Sequence, residues 1–138
     1  RHGRDLRSAG DNVIDVKFFP DGERLVTTGL QGRAFIWSAS SRRVLRVLRG
    51  GHEEGSGILS VEVFADGERL VTLGLDLRTV IWSAPTGKIL RDVDMRGVCQ
   101  QPFVLKLLPG HDRFVTGVSL TVGDPAVVWD ISGDWVHS

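Results

Sequence analysis

An all-β fold of about three repeated, four-stranded antiparallel sheets is predicted by three features of the 138-residue sequence. A repeat of 45 residues relates its first two copies, an Asp-Gly turn follows the first strand of each, and a tryptophan closes the third strand. Repetition of one small unit at such a period means that each unit buries its apolar faces against the next copy rather than against itself.

The repeat is read directly from Val16-Lys17-Phe18-Phe19-Pro20-Asp21-Gly22-Glu23-Arg24-Leu25-Val26-Thr27-Thr28-Gly29-Leu30 against Val61-Glu62-Val63-Phe64-Ala65-Asp66-Gly67-Glu68-Arg69-Leu70-Val71-Thr72-Leu73-Gly74-Leu75. It continues in Ile36-Trp37-Ser38-Ala39 against Ile81-Trp82-Ser83-Ala84. A weaker third copy begins at Val104-Leu105-Lys106-Leu107-Leu108-Pro109, continues at Asp112-Arg113-Phe114-Val115-Thr116 and ends in Val127-Val128-Trp129-Asp130.

Within each copy the elements follow from turn chemistry. The first strand, around Val13–Phe19, carries Val, Ile and Phe and meets Pro20-Asp21-Gly22, where Pro presets φ and Gly supplies a positive φ. The second strand, Arg24–Thr28, then folds back antiparallel. The third, Arg33–Ser38 or Arg78–Ser83, is nearly continuously apolar, as expected of a strand buried on both faces. A fourth is expected at Arg43–Arg49 and at Lys88–Val93. The alternation of Val44, Leu45, Val47 and Leu48 with arginines also fits an amphipathic helical turn. The repeat favours an outer strand whose arginines discourage pairing with another chain.

Composition excludes several function classes. Lys+Arg and Asp+Glu are both 17, so no bulk charge draws the chain to nucleic acid or to an anionic membrane. Apolar runs are far too short to span a bilayer. The basic stretch Arg1 to Arg7 has no apolar run behind it and is not expected to act as a signal peptide. A single cysteine, Cys99, excludes an internal disulfide and a multi-cysteine metal site and fits a reducing compartment. The chain starts without Met and is expected to be a piece of a longer protein.

These repeats resemble the WD40 β-propeller family. Trp129-Asp130 resembles the dipeptide that closes the family's third strand, Trp37 and Trp82 hold the same place with Ser after them, and Gly51-His52 resembles the pair that precedes a blade. The resemblance implies one partial propeller over residues 1–138, an incomplete ring with blades at about 11–50, 56–95 and 102–138. It also implies a buried hydrogen-bonded tetrad in blade two: His52, Thr72, Asp76 and Trp82. The other blades depart from that pattern. Gln31 replaces the turn aspartate in the first, and Gly123, with Asp124 one place late, stands in the third.

A His-Thr-Asp group also has the composition of a nucleophile-base-orienter triad. Thr72 lies inside a strand with no oxyanion hole beside it, so the structural role is expected and no catalytic residue is assigned. His111 belongs to a Pro-Gly-His-Asp turn, His2 and His137 lie near the ends, and Cys99 is expected to pack. Pro85-Thr86-Gly87-Lys88 fails as a phosphate loop because Trp82 occupies the required first glycine position. No metal site and no cofactor is expected. The four aromatics Phe19, Phe35, Phe64 and Phe103 are expected to pack between blades.

Binding is therefore sought in loops on a rigid scaffold. Gly50–Gly57 carries Glu53 and Glu54, the connection Met95–Pro102 carries Arg96 and Gln100, and Thr121–Pro125 carries an insertion; each would serve equally as a plain linker. Arg42, Arg43, Arg46 and Arg49 form either a solvated edge or a contact for an acidic partner or phosphate backbone. The stretch from Leu48 to Asp76, with its Gly50-Gly51 pair, Leu59-Ser60 and Gly74-Leu75-Asp76, is similar to the embryonic-ectoderm-development/extra-sex-combs subunits of Polycomb repressive complex 2. That similarity implies a nuclear protein binding a SET-domain methyltransferase and a histone tail, although the family's methyl-lysine cage maps to no position here. The expected function is a non-catalytic, intracellular scaffold for proteins or peptides of a multisubunit complex, with no direct nucleic-acid or membrane contact, and cytoplasmic if the Polycomb likeness fails. The alternative is a propeller domain of a larger enzyme, trafficking or ribosome-biogenesis protein.

Overall fold

The computed structural model describes residues 12–95, 102–107, 113–118, 127–130 and 135–137. Among them lie three four-stranded sheets in which consecutive strands pair antiparallel. The first holds β1 (Val13–Phe18), β2 (Arg24–Gly29), β3 (Ala34–Ser38) and β4 (Val44–Leu48). In the second are β5 (Ile58–Val63), β6 (Arg69–Gly74), β7 (Arg78–Ser83) and β8 (Ile89–Asp94). The third comprises β9 (Pro102–Leu107), β10 (Arg113–Val118), β11 (Val127–Asp130) and β12 (Trp135–His137).

The Arg43–Arg49 stretch is strand and not helix. Ile36 pairs with Arg46 and Trp37 with Val44, so Leu45 is the extra residue of a β-bulge. The same shift in β8, where Ile81 pairs with Arg91 and Trp82 with Ile89, leaves Leu90 as the extra residue. Bulges twist an outer strand away from regular pairing, which protects a sheet edge as effectively as charge does. Of the four arginines beside β4, all exposed, Arg46 reaches the next blade and donates from Nη1 to the Thr86 carbonyl at 3.1 Å. It is a tie between blades rather than only a solvated side chain.

The turns between first and second strands are copies of one another. Phe19 N–H donates to the Arg24 carbonyl at 2.9 Å and Gly22 N–H to the Phe19 carbonyl at 3.0 Å, and Phe64, Arg69 and Gly67 repeat both bonds at 2.9 Å. Gly22 and Gly67 have φ of 69° and 70°, a conformation a Cβ disfavours. Ala65 in place of Pro20 leaves this geometry intact. In each turn the aspartate accepts a backbone N–H two residues on at 2.8 Å, from Glu23 to Asp21 and from Glu68 to Asp66. Arg24 and Arg69 pair with those aspartates at 3.0 and 2.9 Å and lie over the Phe19 and Phe64 rings at 4.3 and 4.5 Å, adding a cation–π contact.

Neighbouring sheets share their cores. Phe19, Val26, Ala34, Ile36 and Leu48 of the first blade form one buried cluster with Ile58, Val61, Leu70, Val80, Trp82 and Ala84 of the second. On its other face the second blade joins Phe64, Val71, Leu73, Ile81, Val93 and Met95 to Leu105 of β9. Phe19 and Phe64 thus pack between blades. Phe35 clusters with Leu25 and Trp37 of its own sheet, on a face that no other described strand covers. Phe103 lies on β9, its side chain outside the described residues.

Polar seams accompany the apolar ones. The innermost strands β1 and β5 are joined where Asp15 Oδ2 accepts Val61 N–H at 3.1 Å. Lys17 Nζ lies 3.3 Å from Asp15 and 3.4 Å from Glu62. Thr28 Oγ1 donates to the Ile58 carbonyl at 2.9 Å.

Since Phe19 is 2% exposed in a shared core, Phe19→Ala is expected to lower the folding free energy of the full-length protein by about 3–5 kcal/mol. Equilibrium urea denaturation measures it, and a change close to zero would show that the blades do not depend on each other's side chains.

Candidate functional site

A buried polar constellation lies at the rim where the first blade hands over to the second. It begins with a contact that only glycine permits. A Cβ on Gly51 would stand 2.7 Å from Trp82 Cζ2 and 2.9 Å from Cη2, so the indole edge rests on bare backbone. The chain then turns the His52 side chain inward, where it and the Asp76 side chain are both 0% exposed.

Four groups are joined in series. Trp82 Nε1–H donates to Thr72 Oγ1 at 2.9 Å, and Thr72 Oγ1 lies 2.7 Å from His52 Nε2. His52 Nδ1 is 3.1 Å from Asp76 Oδ1. A carboxylate only accepts, so it fixes Nδ1 as the donor and leaves Nε2 to receive the threonine hydroxyl. The structure therefore brings together His52, Thr72, Asp76 and Trp82. Asp76 is satisfied further by Glu53 N–H on Oδ2 at 2.9 Å and Arg78 N–H on Oδ1 at 3.1 Å. Burial pushes this carboxyl upward, but the hydrogen bonds from His52, Glu53 and Arg78 hold it below the ordinary aspartate value of 3.8. Gly74 completes the enclosure, for a Cβ there would meet Asp76 Oδ1 and His52 Nδ1 at 2.5 Å.

The distances match those of a nucleophile, base and orienter, but the chemistry is closed. Thr72 is 0% exposed, and its oxygen already takes the indole N–H, so no substrate carbon reaches it. The group holds the inter-blade loop to the sheet. Ser56 N–H donates to the Glu53 carbonyl at 3.0 Å and Gly55 N–H to the Gln31 carbonyl at 3.3 Å. Those bonds lay the loop against the first blade while Glu53 and Glu54 remain exposed.

The first blade keeps half of the arrangement. Trp37 Nε1–H donates to Thr27 Oγ1 at 2.9 Å, while Gln31, at the turn, is exposed. In the third blade Trp129 and Asp130 lie on β11 opposite Phe114 and Arg113. Arg96, Cys99, Gln100, His111, His2 and the Thr121–Pro125 insertion lie outside the described residues, as does the His137 side chain. Among the described residues no group of three His, Cys, Asp or Glu side chains is placed to hold a metal.

Sequence reasoning passed over one feature of this rim. Leu30 and Leu75 are 43% and 56% exposed. A Cβ on Gly57 would find Ile14 Cδ1 at 3.2 Å, Leu75 Cδ1 at 3.5 Å and Leu30 Cδ2 at 3.6 Å, so three apolar side chains from two blades meet there. The available signal was a Gly-Leu pair at the same place in both repeats, an apolar residue where a turn favours a polar one.

Meandering four-stranded sheets stacked face to face, the first two with a Trp-to-Thr bond at the centre, are the construction of a β-propeller. The chain has the fold of a β-propeller segment, an incomplete ring of blades. A family model described as WD domain, G-beta repeat, matches residues 3–38. The fold superposes on the β-propeller domain of Myceliophteria thermophila Cps50 (Swd1), with a TM-score of 0.78, 24% identity, and coverage of 93% of this chain and 37% of that one. It superposes on U3-55K (TM-score 0.80, 18% identity, 97% and 41% covered) and on the RRP9 WD40 repeats (0.81, 20%, 97% and 40%). This chain thus spans only 37–41% of the length of those propellers, and identities this low establish the fold alone. No curated protein matches the sequence.

Two outcomes are expected. Asp76→Ala leaves a buried imidazole and two loop amides without their acceptor and should cost about 3–5 kcal/mol, measurable by denaturant titration beside a neutral surface control. Because the folded carboxyl titrates below its unfolded value, its contribution is complete above pH 3.8 and is lost as pH falls through the folded value. The wild-type melting temperature should therefore drop on acidification below that point, and drop less steeply in Asp76→Ala.

Proposed function

We propose that the chain is part of a non-catalytic interaction scaffold, whose rim between blades one and two receives a protein or peptide partner. The observation that carries this reading is the combination of a fixed backbone with outward-facing side chains. Glu53 N–H is locked onto Asp76 at 2.9 Å, while Glu53 and Glu54 are exposed on the same loop whose Gly57 lies against the exposed Leu30 and Leu75. A rigid loop offering charge next to apolar surface loses little conformational freedom on association. A buried triad with no access supports assigning this part of the molecule to assembly rather than to chemistry.

A sharper form of the proposal makes the partners a SET-domain methyltransferase and a histone tail, in a nuclear Polycomb-type complex. It is supported by the likeness of the stretch from Leu48 to Asp76 to those subunits and by the acidic rim, which suits a basic peptide.

The test is affinity purification of the full-length protein and of a Glu53→Lys/Glu54→Lys variant, followed by mass spectrometry and by melting curves on both. Loss of one or more partners with an unchanged melting temperature is expected. An identical set of partners for the two proteins would remove the rim from the interaction. Recovery of a SET-domain methyltransferase would establish the Polycomb form, and a different stable complex would end it.

A further inference from the structure

The turns that lead into β4 and β8 are copies of one another. Arg42 N–H donates to the Ser38 carbonyl and Gly87 N–H to the Ser83 carbonyl, both at 2.8 Å. From them issue two quartets of one pattern, Arg43-Val44-Leu45-Arg46 and Lys88-Ile89-Leu90-Arg91, 45 residues apart. All eight residues are exposed. Val44 and Leu45 are 39% and 52% exposed, Ile89 and Leu90 40% and 50%. The second blade is packed between the first and β9, so contact between blades leaves this apolar pair uncovered. The bulges at Leu45 and Leu90 spoil both strands as templates for an added strand. Whatever docks here meets side chains rather than backbone.

The two quartets are neighbours. Arg46 Nη1 donates to the Thr86 carbonyl at 3.1 Å, and a Cβ on Gly87 would stand 2.8 Å from Arg46 Cδ. One quartet is thereby anchored on the turn that begins the other. The corner so formed gathers Arg42, Arg43, Arg46 and Lys88, and neither residues 39–49 nor residues 84–91 include a carboxylate. Asp92, which follows on β8, is taken by Arg78 at 2.9 Å. Glu23 and Glu68 stand before β2 and β6, two strand positions or about 10 Å inward. In a chain whose charges balance at 17 and 17, this is local segregation of positive charge. A second sign lies in the backbone: Arg42 has a φ of 59° where Gly87 has 74°. A side chain in that conformation costs stability that glycine would not, so the turn itself gains nothing from the arginine.

We propose that this outer corner of blades one and two docks an acidic segment of a partner protein. The segment's aliphatic side chains cover Val44, Leu45, Ile89 and Leu90, and its carboxylates meet Arg42, Arg43 and Lys88. Arg46 holds the two halves of the corner at a fixed spacing. Duplex nucleic acid would answer the cations but offers nothing to four exposed aliphatic side chains. An anionic bilayer would answer both, yet it would draw Asp92 and Asp94, next along β8, against its own charge. The corner lies at the opposite end of β4 from the loop of Glu53 and Glu54 and carries the opposite charge, so it stands or falls independently of that rim.

The test uses the full-length protein and the fluorescence anisotropy of a labelled peptide in which pairs of leucine alternate with pairs of glutamate. A matched peptide has serine for every leucine. The leucine peptide is expected to bind about tenfold more tightly than the serine peptide. Arg43→Glu/Lys88→Glu should weaken it by about tenfold or more with an unchanged melting temperature. Arg42→Gly separates docking from folding: it should weaken the peptide while the melting temperature stays the same or rises. Failure of the wild type to bind the leucine peptide, equal affinities for the two peptides, or variants that bind as the wild type does would each overturn the proposal. Tighter binding of duplex DNA or of phosphatidylserine vesicles, measured by competition with the labelled peptide, would overturn it too.

Discussion

The first two sheets of this protein are apolar on both faces, and neither face can be left to water. The β3 and β7 strands show the constraint most plainly: Ala34 to Trp37 and Thr79 to Trp82 are buried without interruption. A four-stranded sheet has too little substance to bury both sides by itself, so the second blade supplies half of two cores and borrows the other halves from its neighbours. The shared Phe19–Trp82 core is therefore not one contact among many. It places β1 beside β5, fixes the path of the connecting loop, and sets the rim on which the exposed side chains stand.

Close packing of this kind strands polar groups, and the molecule resolves them by linking them in series. An indole N–H, a threonine hydroxyl, an imidazole and a carboxylate each have a partner in blade two, and the carboxylate ends the series on two backbone amides. Unsatisfied groups at such depth cost more than the bonds return when made. Blade one shows a shorter version of the same arrangement: Gln31 is exposed at its turn, and the Trp37 indole donates to Thr27.

Much of this was legible in the amino-acid order. Strand number, the Asp-Gly turns and the late tryptophans follow from the 45-residue repeat, because identical spacing of apolar, turn and aromatic positions leaves few folds to choose from. The tetrad residues were legible through family resemblance, and their spacing in the chain alone did not require them to meet. What stayed hidden depends on register and on the approach of separate blades. The bulges at Leu45 and Leu90 arise from a one-residue mismatch between paired strands, which composition does not encode. Arg46 reads as one more charge on an edge until Thr86 is brought beside it. Phe35 has the same residue type as Phe19 and a different neighbourhood, because sheet face and not hydrophobicity decides which blade a ring meets. Leu30 and Leu75 converge on Gly57 only after two turns from different blades are laid together.

The carboxylate of Asp76 grips the loop through the main-chain amide of Glu53, not through its side chain. Every residue except proline has that amide. The side chain presented at position 53 can therefore drift in evolution while the loop keeps its path and the fold its stability. Under the proposed scaffold role, recognition and folding are encoded in different atoms of the same residue, and a surface built this way can acquire new specificities without first acquiring stabilising mutations to absorb their cost.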